Sequence, residues 1–136
     1  MTRLTTSTRL PKILLDKTLV GRLEALAASM MRRSPEVGER LMDEIARAKL
    51  VAPDKLRSDV VTIGNEVTYR DLGNDRVQTV ILTYPEDADI DQHRISVLTP
   101  IGVALLGLSV GASISWATRD DETRTLEVLK VMPITS

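Results

Sequence analysis

The hydrophobic period of the chain changes near Pro53, and this change limits the possible folds more than any other feature of the sequence. Before Pro53, apolar residues recur at steps of three and four, as in Leu19, Leu23, Leu26 and Met30, which is the spacing of one face of an α-helix. After Pro53, short segments alternate between apolar and polar residues, a pattern typical of β-strands. The sequence therefore predicts an α+β protein in which the helices precede the strands.

Two helices are predicted in the first part, on either side of the turn sequence MRRSPE. Asp16 is a suitable N-cap for the first helix, and Ser34 followed by Pro35 is typical of the start of the second. The second helix is expected to run to about Leu50, with a matching apolar stripe of Leu41, Ile45 and Ala48. Because the turn is very short, the two helices must lie antiparallel. Their narrow stripes predict a short coiled-coil hairpin.

The second part predicts a mainly antiparallel sheet with one helix packed across it. Six segments have the alternation of strands: residues 60–63, 66–71, 77–84, 95–99, 112–118 and 124–132. The sequence LGND (72–75) predicts a hairpin turn with Gly73 and Asn74 available for positive φ. Between the fourth and fifth strands, Pro100 is typical of a helix start and Gly107 of a helix end.

These patterns divide the chain of 136 residues into three expected parts. Residues 1–10 form a polar tail, residues 11–52 hold a possible short strand (PKILL, 11–15) and the helical hairpin, and residues 53–136 form the β domain. The core is expected to be aliphatic, because the chain has no Phe, one Trp and two Tyr.

The overall composition excludes several classes of function. The formal net charge of −1 argues against nucleic-acid binding by bulk charge. The absence of cysteine excludes disulfides and thiolate metal sites. No apolar run approaches the roughly 20 residues of a membrane span, and no apolar segment follows the first charges as in a secretory signal. We therefore expect a cytoplasmic protein without a membrane partner.

No catalytic constellation is visible, and the chain is expected to be neither an enzyme nor a cofactor-binding protein. His93 is the single histidine and lies in a polar loop, which is a poor transition-metal site. The acidic residues of the same loop lack the glycine and the spacing of a calcium loop; they are Glu86, Asp87, Asp89 and Asp91. Asp43 and Glu44 are adjacent on the second helix and therefore point to different faces.

Two segments carry a resemblance to a known family. The segment DADIDQHRISVLTPIGVALLGLSVG (87–111) resembles the C-terminal domain of the Gre-type transcript cleavage factors, and RTLEVLKV (124–131) is similar to its closing strand. The resemblance covers about residues 55–133 and implies an FKBP-like fold, an antiparallel sheet wrapped on one short helix. The hairpin is much shorter than in the cleavage factors. Together with PKILL, VVTIGNEVTYRDL and LTYP, it makes the chain similar to the Rnk family of regulators of nucleoside diphosphate kinase.

This resemblance implies a regulator that binds RNA polymerase near its secondary channel and competes with the cleavage factors without stimulating cleavage. Control of nucleoside diphosphate kinase would then be indirect, through transcription. Direct regulation of that kinase and, as a weaker alternative, an FKBP-like prolyl isomerase stay open. The implied polymerase contact is Leu98–Thr99–Pro100; Thr99 and Pro100 match the family, whereas Leu98 stands where the cleavage factors often carry an acidic or polar residue.

The predicted hairpin tip departs further from the cleavage factors. Those factors hold a catalytic magnesium ion with carboxylates at the tip, whereas the tip here has Arg32, Arg33 and Ser34, with Glu36 beyond them. Arginines repel a cation, so the resemblance implies no cleavage activity. The two arginines are expected either to stabilise the end of the first helix or to face an acidic partner. Within the transcription complex they could reach either nucleic acid or an acidic wall of the channel, and both alternatives stay open. A monomer is expected, with the apolar stripes packed within one chain.

Overall fold

The computed structural model describes residues 10–118 and 122–133. The first part of the chain forms a helical hairpin on a short two-stranded sheet. Its elements are β1 (Leu14–Asp16), a 3₁₀ turn (Lys17–Leu19), α1 (Val20–Met30), α2 (Pro35–Arg47) and β2 (Lys49–Val51). β1 and β2 pair in parallel, so the two ends of the hairpin are held side by side. The predicted hairpin is confirmed, and the short strand lies at residues 14–16 rather than 11–15. Asp16 caps the 3₁₀ turn that leads into α1, since its carboxylate accepts a hydrogen bond from the Thr18 N–H at 2.8 Å, whereas the N-cap residue of α1 itself is Leu19.

The two helices pack closely because small and aliphatic residues face each other. Leu23 of α1 and Leu41 of α2 are fully buried. At Gly38 the backbones approach so closely that a Cβ atom would lie 2.9 Å from the carbonyl oxygen of Ala27. Leu26 lies at the margin of the same contact, half-buried. The predicted apolar stripes therefore hold the helices together within one chain.

The second part forms a five-stranded sheet with one short helix. Its elements are β3 (Asn65–Asp71), β4 (Arg76–Thr83), β5 (Arg94–Ser96), α3 (Pro100–Leu105), β6 (Ser113–Ala117) and β7 (Thr123–Pro133). The strand order is β5-β4-β3-β7-β6. All neighbours are antiparallel except β4 and β5, which are parallel. The structure thus confirms a mixed α+β fold with a mainly antiparallel sheet and a single helix across it.

Gly107 joins the two parts of the protein. It follows α3 with a φ of +84°, a conformation that favours glycine. Its N–H donates to the carbonyl of Val61 at 2.9 Å, and its own carbonyl accepts the N–H of Leu14 at 3.1 Å. The predicted end of the helix is therefore confirmed, and it also connects the sheet unit to β1.

Four local predictions were wrong. The strand expected at residues 95–99 is shortened to β5, Arg94–Ser96, because residues 97–99 turn into α3. Residues 60–63 form no regular strand; Val60 makes a single bridge to Ser109, because this segment packs against the chain that follows α3. The second helix ends at Arg47, since residues 49–51 leave it to pair with β1. In the turn at 72–75, positive φ occurs at Asp75 rather than at the two predicted positions.

The turn takes this shape because side chains hydrogen-bond its backbone. The Asp71 carboxylate accepts the N–H of Gly73 at 2.8 Å, and the Asn74 side chain accepts the N–H of Arg76 at 3.0 Å. Aspartate tolerates the left-handed conformation that this arrangement leaves to Asp75.

Candidate functional site

The hairpin tip is a compact turn that presents two arginines to solvent. The N–H groups of Arg33 and Ser34 both donate to the carbonyl of Met30, at 3.0 and 2.8 Å, which closes the turn at the end of α1. Arg32 and Arg33 are exposed, and neither makes an ion pair within the described residues. Ser34 occupies the N-cap position of α2, although its side chain makes no capping hydrogen bond.

The predicted contact segment lies at the start of α3, and its three residues are exposed to very different degrees. Leu98 is 7% exposed and belongs to the core. The Thr99 hydroxyl caps α3: it accepts the N–H of Gly102 at 3.0 Å and donates to the carbonyl of Ser96 at 2.8 Å. Pro100 is exposed as the first residue of the helix. Pro100 and the rim of Thr99 are therefore the accessible part of the segment.

The structure brings the tip and the contact segment into one groove. A cavity of about 460 Å³ lies between the hairpin and the sheet unit. Ser34 and Glu36 line it on the hairpin side, and residues 98–100 line it on the other side. Arg32 and Arg33 are not among the residues that line it. We name this cavity the tip groove; its other lining residues are Met30, Val37, Arg40, Trp116, Ala117, Thr118 and Arg124.

Trp116 forms the floor of the tip groove between two arginines. The residue is 8% exposed, and the guanidinium carbons of Arg40 and Arg124 lie 5.1 and 5.6 Å from the ring centre. Both distances are within the range of cation–π attraction. Arg40 also donates to the carbonyl of Pro100 at 3.3 Å. The arginine of α2 thus connects the tryptophan to the first residue of α3.

The two arginines are held by different electrostatic environments. Burial lowers the pKa of Arg40, and the negative charge of Glu44 opposes this effect. Arg124 donates to the carboxylate of Asp71 at 2.8 Å. That hydrogen bond, together with the N–H of Gly73, lowers the pKa of Asp71 from its ordinary value of 3.8. Asp71 therefore stays ionised and fixes Arg124 beside the tryptophan.

Sequence reasoning missed Arg40, Trp116 and Arg124 as members of this site. The single tryptophan of an aromatic-poor chain was a usable signal, since a large ring beside a polar strand often marks a binding surface. The arginines gave no such signal. Arg124 lies directly opposite Trp116 only through the β6–β7 register, and Arg40 reaches the ring only because α2 packs onto the sheet unit.

The remaining candidate residues serve local structure. His93 is exposed and has a φ of 58° after a 3₁₀ turn, and Asp89 caps that turn by accepting the N–H of Asp91 at 3.1 Å. Glu86 pairs with Arg22 of α1. Among residues 10–118 and 122–133, no three His, Asp or Glu side chains converge in a way that could hold a metal ion.

Asp43 and Glu44 do point to different faces of α2. Glu44 is buried and forms a double hydrogen bond with Arg47, at 2.9 and 2.8 Å. Arg47 also donates to the carbonyl of Pro11, which ties the end of α2 to the segment before β1. Asp43 is exposed. No helix in the described part of the chain is long and apolar enough to cross a membrane.

Two family models match the two parts of the chain, and a relative that spans both parts connects them. The model described as "Rnk N-terminus" matches residues 11–51, and the model "Transcription elongation factor, GreA/GreB, C-term" matches residues 56–133. A regulator of nucleoside diphosphate kinase from Escherichia coli strain K12 is 31% identical over 121 residues, which cover 89% of each chain. Transcription elongation factor GreA of Prosthecochloris aestuarii is 37% identical over 76 residues, 54% of this chain and 48% of that protein.

Solved structures agree with the sequence relatives. The structure of a prokaryotic transcription elongation factor GreA/GreB from Nitrosomonas europaea is 32% identical and superposes with a TM-score of 0.69, covering 90% of this chain and 98% of that one. By contrast, the chain spans only about half the length of the GreA protein from Prosthecochloris aestuarii. The protein is therefore a member of the Rnk family, in which an Rnk N-terminus precedes a C-terminal module of the GreA/GreB type.

Proposed function

We propose that the protein is a transcription regulator that binds RNA polymerase near its secondary channel. It competes there with transcript cleavage factors and does not stimulate cleavage itself. The observation that carries this proposal is the tip groove, in a chain with a GreA/GreB C-terminal module. The groove places the accessible edge of the contact segment, Thr99 and Pro100, beside the start of α2. A single partner surface can therefore touch the sheet unit and the hairpin together.

The chemistry of the tip supports binding without cleavage. The turn between α1 and α2 contains Arg32 and Arg33 and no carboxylate, and Glu36 and Glu39 follow only within α2. A magnesium ion requires oxygen ligands, above all carboxylates, so the residues of this tip do not fit such a site. The helices have 11 and 13 residues and are about 16 to 20 Å long at about 1.5 Å per residue, which limits how deeply the tip can enter a channel.

Control of nucleoside diphosphate kinase is proposed to follow indirectly, from altered transcription. The name of the Escherichia coli relative, regulator of nucleoside diphosphate kinase, keeps direct contact with that kinase as the second candidate. The two are separated by adding the purified protein to purified kinase without any transcription system. An unchanged kinase rate supports the indirect route, and a changed rate supports direct contact.

We further propose that the protein is not an enzyme, and that it acts as a cytoplasmic monomer close to nucleic acid within the transcription complex. The parts expected at residues 1–10, 11–52 and 53–136 stay our proposed domain limits. The sheet unit is proposed to be FKBP-like, with one helix packed across an antiparallel sheet. The hairpin is proposed to be a short coiled coil, since Leu23 and Leu41 are buried between its helices.

The proposal is tested by competition in a cleavage assay. Stalled complexes of purified RNA polymerase are given a Gre-type cleavage factor and increasing amounts of this protein, and the shortened transcripts are measured. We expect dose-dependent inhibition, and no cleavage when this protein is added alone. Cleavage that continues unchanged at high micromolar concentrations of the protein would contradict the proposal.

Matched variants at Thr99 and Pro100 locate the contact. Thr99→Asp and Thr99→Asn both keep an oxygen that can cap α3. The first adds a charge and loses the donor to the Ser96 carbonyl, whereas the second stays neutral and keeps an N–H donor. We expect Thr99→Asp to weaken the competition while Thr99→Asn retains it. Pro100→Ala removes an exposed ring and should also weaken the competition. Circular dichroism checks that all three variants stay folded. If all three competed as well as the unchanged protein, the polymerase contact would not lie at this segment.

A further inference from the structure

Among residues 10–118 and 122–133, the strand β6 has one side without a neighbouring strand. In this part of the chain β6 lies at the end of the five-stranded sheet and pairs only with β7. On one end of this ladder the N–H of Val128 donates to the carbonyl of Ala112 at 3.0 Å, and on the other end the N–H of Thr118 donates to the carbonyl of Glu122 at 2.8 Å. The register between these two pairs is regular.

The regular register defines which backbone groups face away from β7. In an antiparallel ladder, hydrogen-bonded and non-hydrogen-bonded pairs alternate. Since residues 112 and 118 bond toward β7, the even-numbered residues of β6 do the same. The N–H and C=O groups of Ser113, Ser115 and Ala117 therefore point to the outer edge. No backbone group among the described residues pairs with them there.

A groove runs between this outer edge and α2, and we name it the edge groove. It has a volume of about 390 Å³ and is lined by Leu10, by residues 114–117 of β6 and by one face of α2. Ile114 and Trp116 provide an apolar floor. The groove is therefore bounded by free backbone groups, by apolar side chains and by a helix wall.

The helix wall of the edge groove carries unpaired negative charge. Glu39 and Asp43 are exposed and lie four residues apart on α2, and neither has an ion-pair partner among the described residues. The other charged residues of the groove are already engaged: Arg40 lies over Trp116, Glu44 is paired with Arg47, and Glu36 has interactions of its own.

The spacing of the two carboxylates matches that of an added strand. Four residues of a helix span about 6 Å, and two residues of a strand span about 6.6 Å. Side chains at alternate positions of a strand face the same side of a sheet. A strand that pairs with β6 and runs along α2 would therefore present alternate side chains at nearly the spacing of Glu39 and Asp43.

We propose that the edge groove binds an extended, basic segment of a partner protein, which adds to the sheet as a strand beside β6. Its backbone pairs with Ser113, Ser115 and Ala117, and its alternate arginine or lysine side chains pair with Glu39 and Asp43. Strand addition of this kind derives affinity from main-chain hydrogen bonds and specificity from alternate side chains. This proposal goes beyond the polymerase contact, because neither Thr99 nor Pro100 lines the edge groove, although the two grooves share Glu36, Arg40, Trp116 and Ala117.

The negative charge of the edge groove favours a basic peptide over a second copy of the chain and over nucleic acid. A second copy of the chain, paired edge to edge through β6, would bring the carboxylates of two α2 helices toward the same edge without adding a cation in β6, whose sequence is SISWA. Like charges at close range are unfavourable. Nucleic acid would present phosphates to the same carboxylates and is disfavoured for the same reason.

The test uses the full chain and a short fluorescent peptide in which arginine alternates with valine and threonine. Binding is followed by fluorescence anisotropy at low ionic strength, and a peptide with glutamate in place of arginine is the control. We expect the basic peptide to bind and the acidic peptide not to bind. Added salt should weaken the binding, since exposed charge pairs are screened.

Variants of the edge groove separate the two sources of affinity. Ser115→Pro removes an N–H that points outward and leaves the β7 ladder intact, and we expect it to weaken binding at least about tenfold. Ser115→Thr keeps the N–H and should bind like the unchanged protein. Glu39→Gln combined with Asp43→Asn should weaken binding about fivefold, whereas Glu24→Gln on the exposed face of α1 should have no effect.

Four results would overturn the proposal. They are equal binding by Ser115→Pro, equal binding of the acidic peptide, absence of binding to the unchanged protein, and a dimer of the unchanged protein that Ser115→Pro converts to monomer. The last result, seen by size-exclusion chromatography, would identify a second copy of the chain as the occupant. Circular dichroism and thermal unfolding of Ser115→Pro confirm that the loss of binding occurs in a folded protein.

Discussion

Replacing Gly107 by alanine should destabilise the protein through two separable effects. The first is conformational, because the residue has a φ of +84°. The second is steric: a Cβ atom there would lie 2.8 Å from Cβ of Ile13 and 3.1 Å from the carbonyl oxygen of Leu14. The first is the side-chain atom bonded directly to the backbone of buried Ile13 and the second is a backbone atom of β1, so neither can move aside as the end of a flexible side chain would.

The two effects can be given magnitudes. The left-handed conformation costs a residue with a Cβ about 1 to 2 kcal/mol. Forcing an extra methyl group into a close-packed interior costs about 1 to 3 kcal/mol. Gly107→Ala should therefore lower the free energy of unfolding by about 3 kcal/mol, which corresponds to a fall of about 10 °C in Tm for a chain of this size.

Gly111→Ala is the matched control for this experiment. Gly111 also has a positive φ, of +91°, but a Cβ atom there would meet no atom within 4 Å. It should show the conformational cost alone, about 1 to 2 kcal/mol. Urea unfolding of both variants, followed by circular dichroism, measures the difference. If Gly107→Ala cost no more than Gly111→Ala, the close contact between Gly107 and β1 would not exist in solution.

Two further predictions concern the tip groove. Asp71→Asn keeps the acceptor for the turn but loses the charge that holds Arg124, so it should lower stability at neutral pH by about 1 kcal/mol. Because the pKa of Asp71 is lowered in the folded protein, the stability that this charge contributes is present above pH 3.8 and is lost as the pH falls further. Urea unfolding measured from pH 7 to pH 2 should show this loss in the unchanged protein and not in the variant. Arg40→Ala should uncover the ring of Trp116 and increase the quenching of its fluorescence by acrylamide. Arg32→Ala at the exposed tip is the control and should leave the quenching unchanged. Equal quenching in both variants would contradict the stacking of Arg40 on the ring.

The sequence predicted those elements whose cause is local. The apolar period, the Ser34–Pro35 start and the turn before it are sufficient to predict an antiparallel hairpin. The strands β3, β4, β6 and β7 alternate clearly enough to be placed within one or two residues. Gly107 was identified as the end of α3 because a positive φ after a helix favours glycine.

The wrong predictions share a different cause, which is pairing between distant segments. Residues 49–51 leave α2 because β1, more than 30 positions earlier, offers them a parallel partner. The Val60–Val61 pair has the composition of a strand, yet both side chains are buried and the N–H of Val61 donates to the carbonyl of Leu108 at 2.8 Å. Composition alone does not show which of several apolar segments will occupy such a position.

The candidate site depends on the same distinction between local and distant causes. Thr99 and Pro100 were proposed as contact residues from the resemblance to the Gre-type C-terminal domain, and the local pattern predicts only that they begin a short helix. The Trp116 floor and its two arginines come from three separate elements, α2, β6 and β7. No spacing in the sequence indicates that these elements converge, because convergence depends on how the hairpin packs onto the sheet unit.

The way in which the hairpin is held explains how a short hairpin can take part in two surfaces. Arg22 of α1 lies over the ring of Tyr84, 3.6 Å from its centre, and Arg40 of α2 reaches both Trp116 and the carbonyl of Pro100. These contacts attach both helices to the sheet unit along their sides, in addition to the β1–β2 pairing at the ends of the hairpin. The tip groove and the edge groove therefore adjoin along α2: Glu36, Arg40, Trp116 and Ala117 line both, whereas Glu39 and Asp43 line only the edge groove. The exposed carboxylates thus lie on one side of a shared tryptophan floor, so a basic segment bound beside β6 would contact the same ring and the same arginine that border the tip groove.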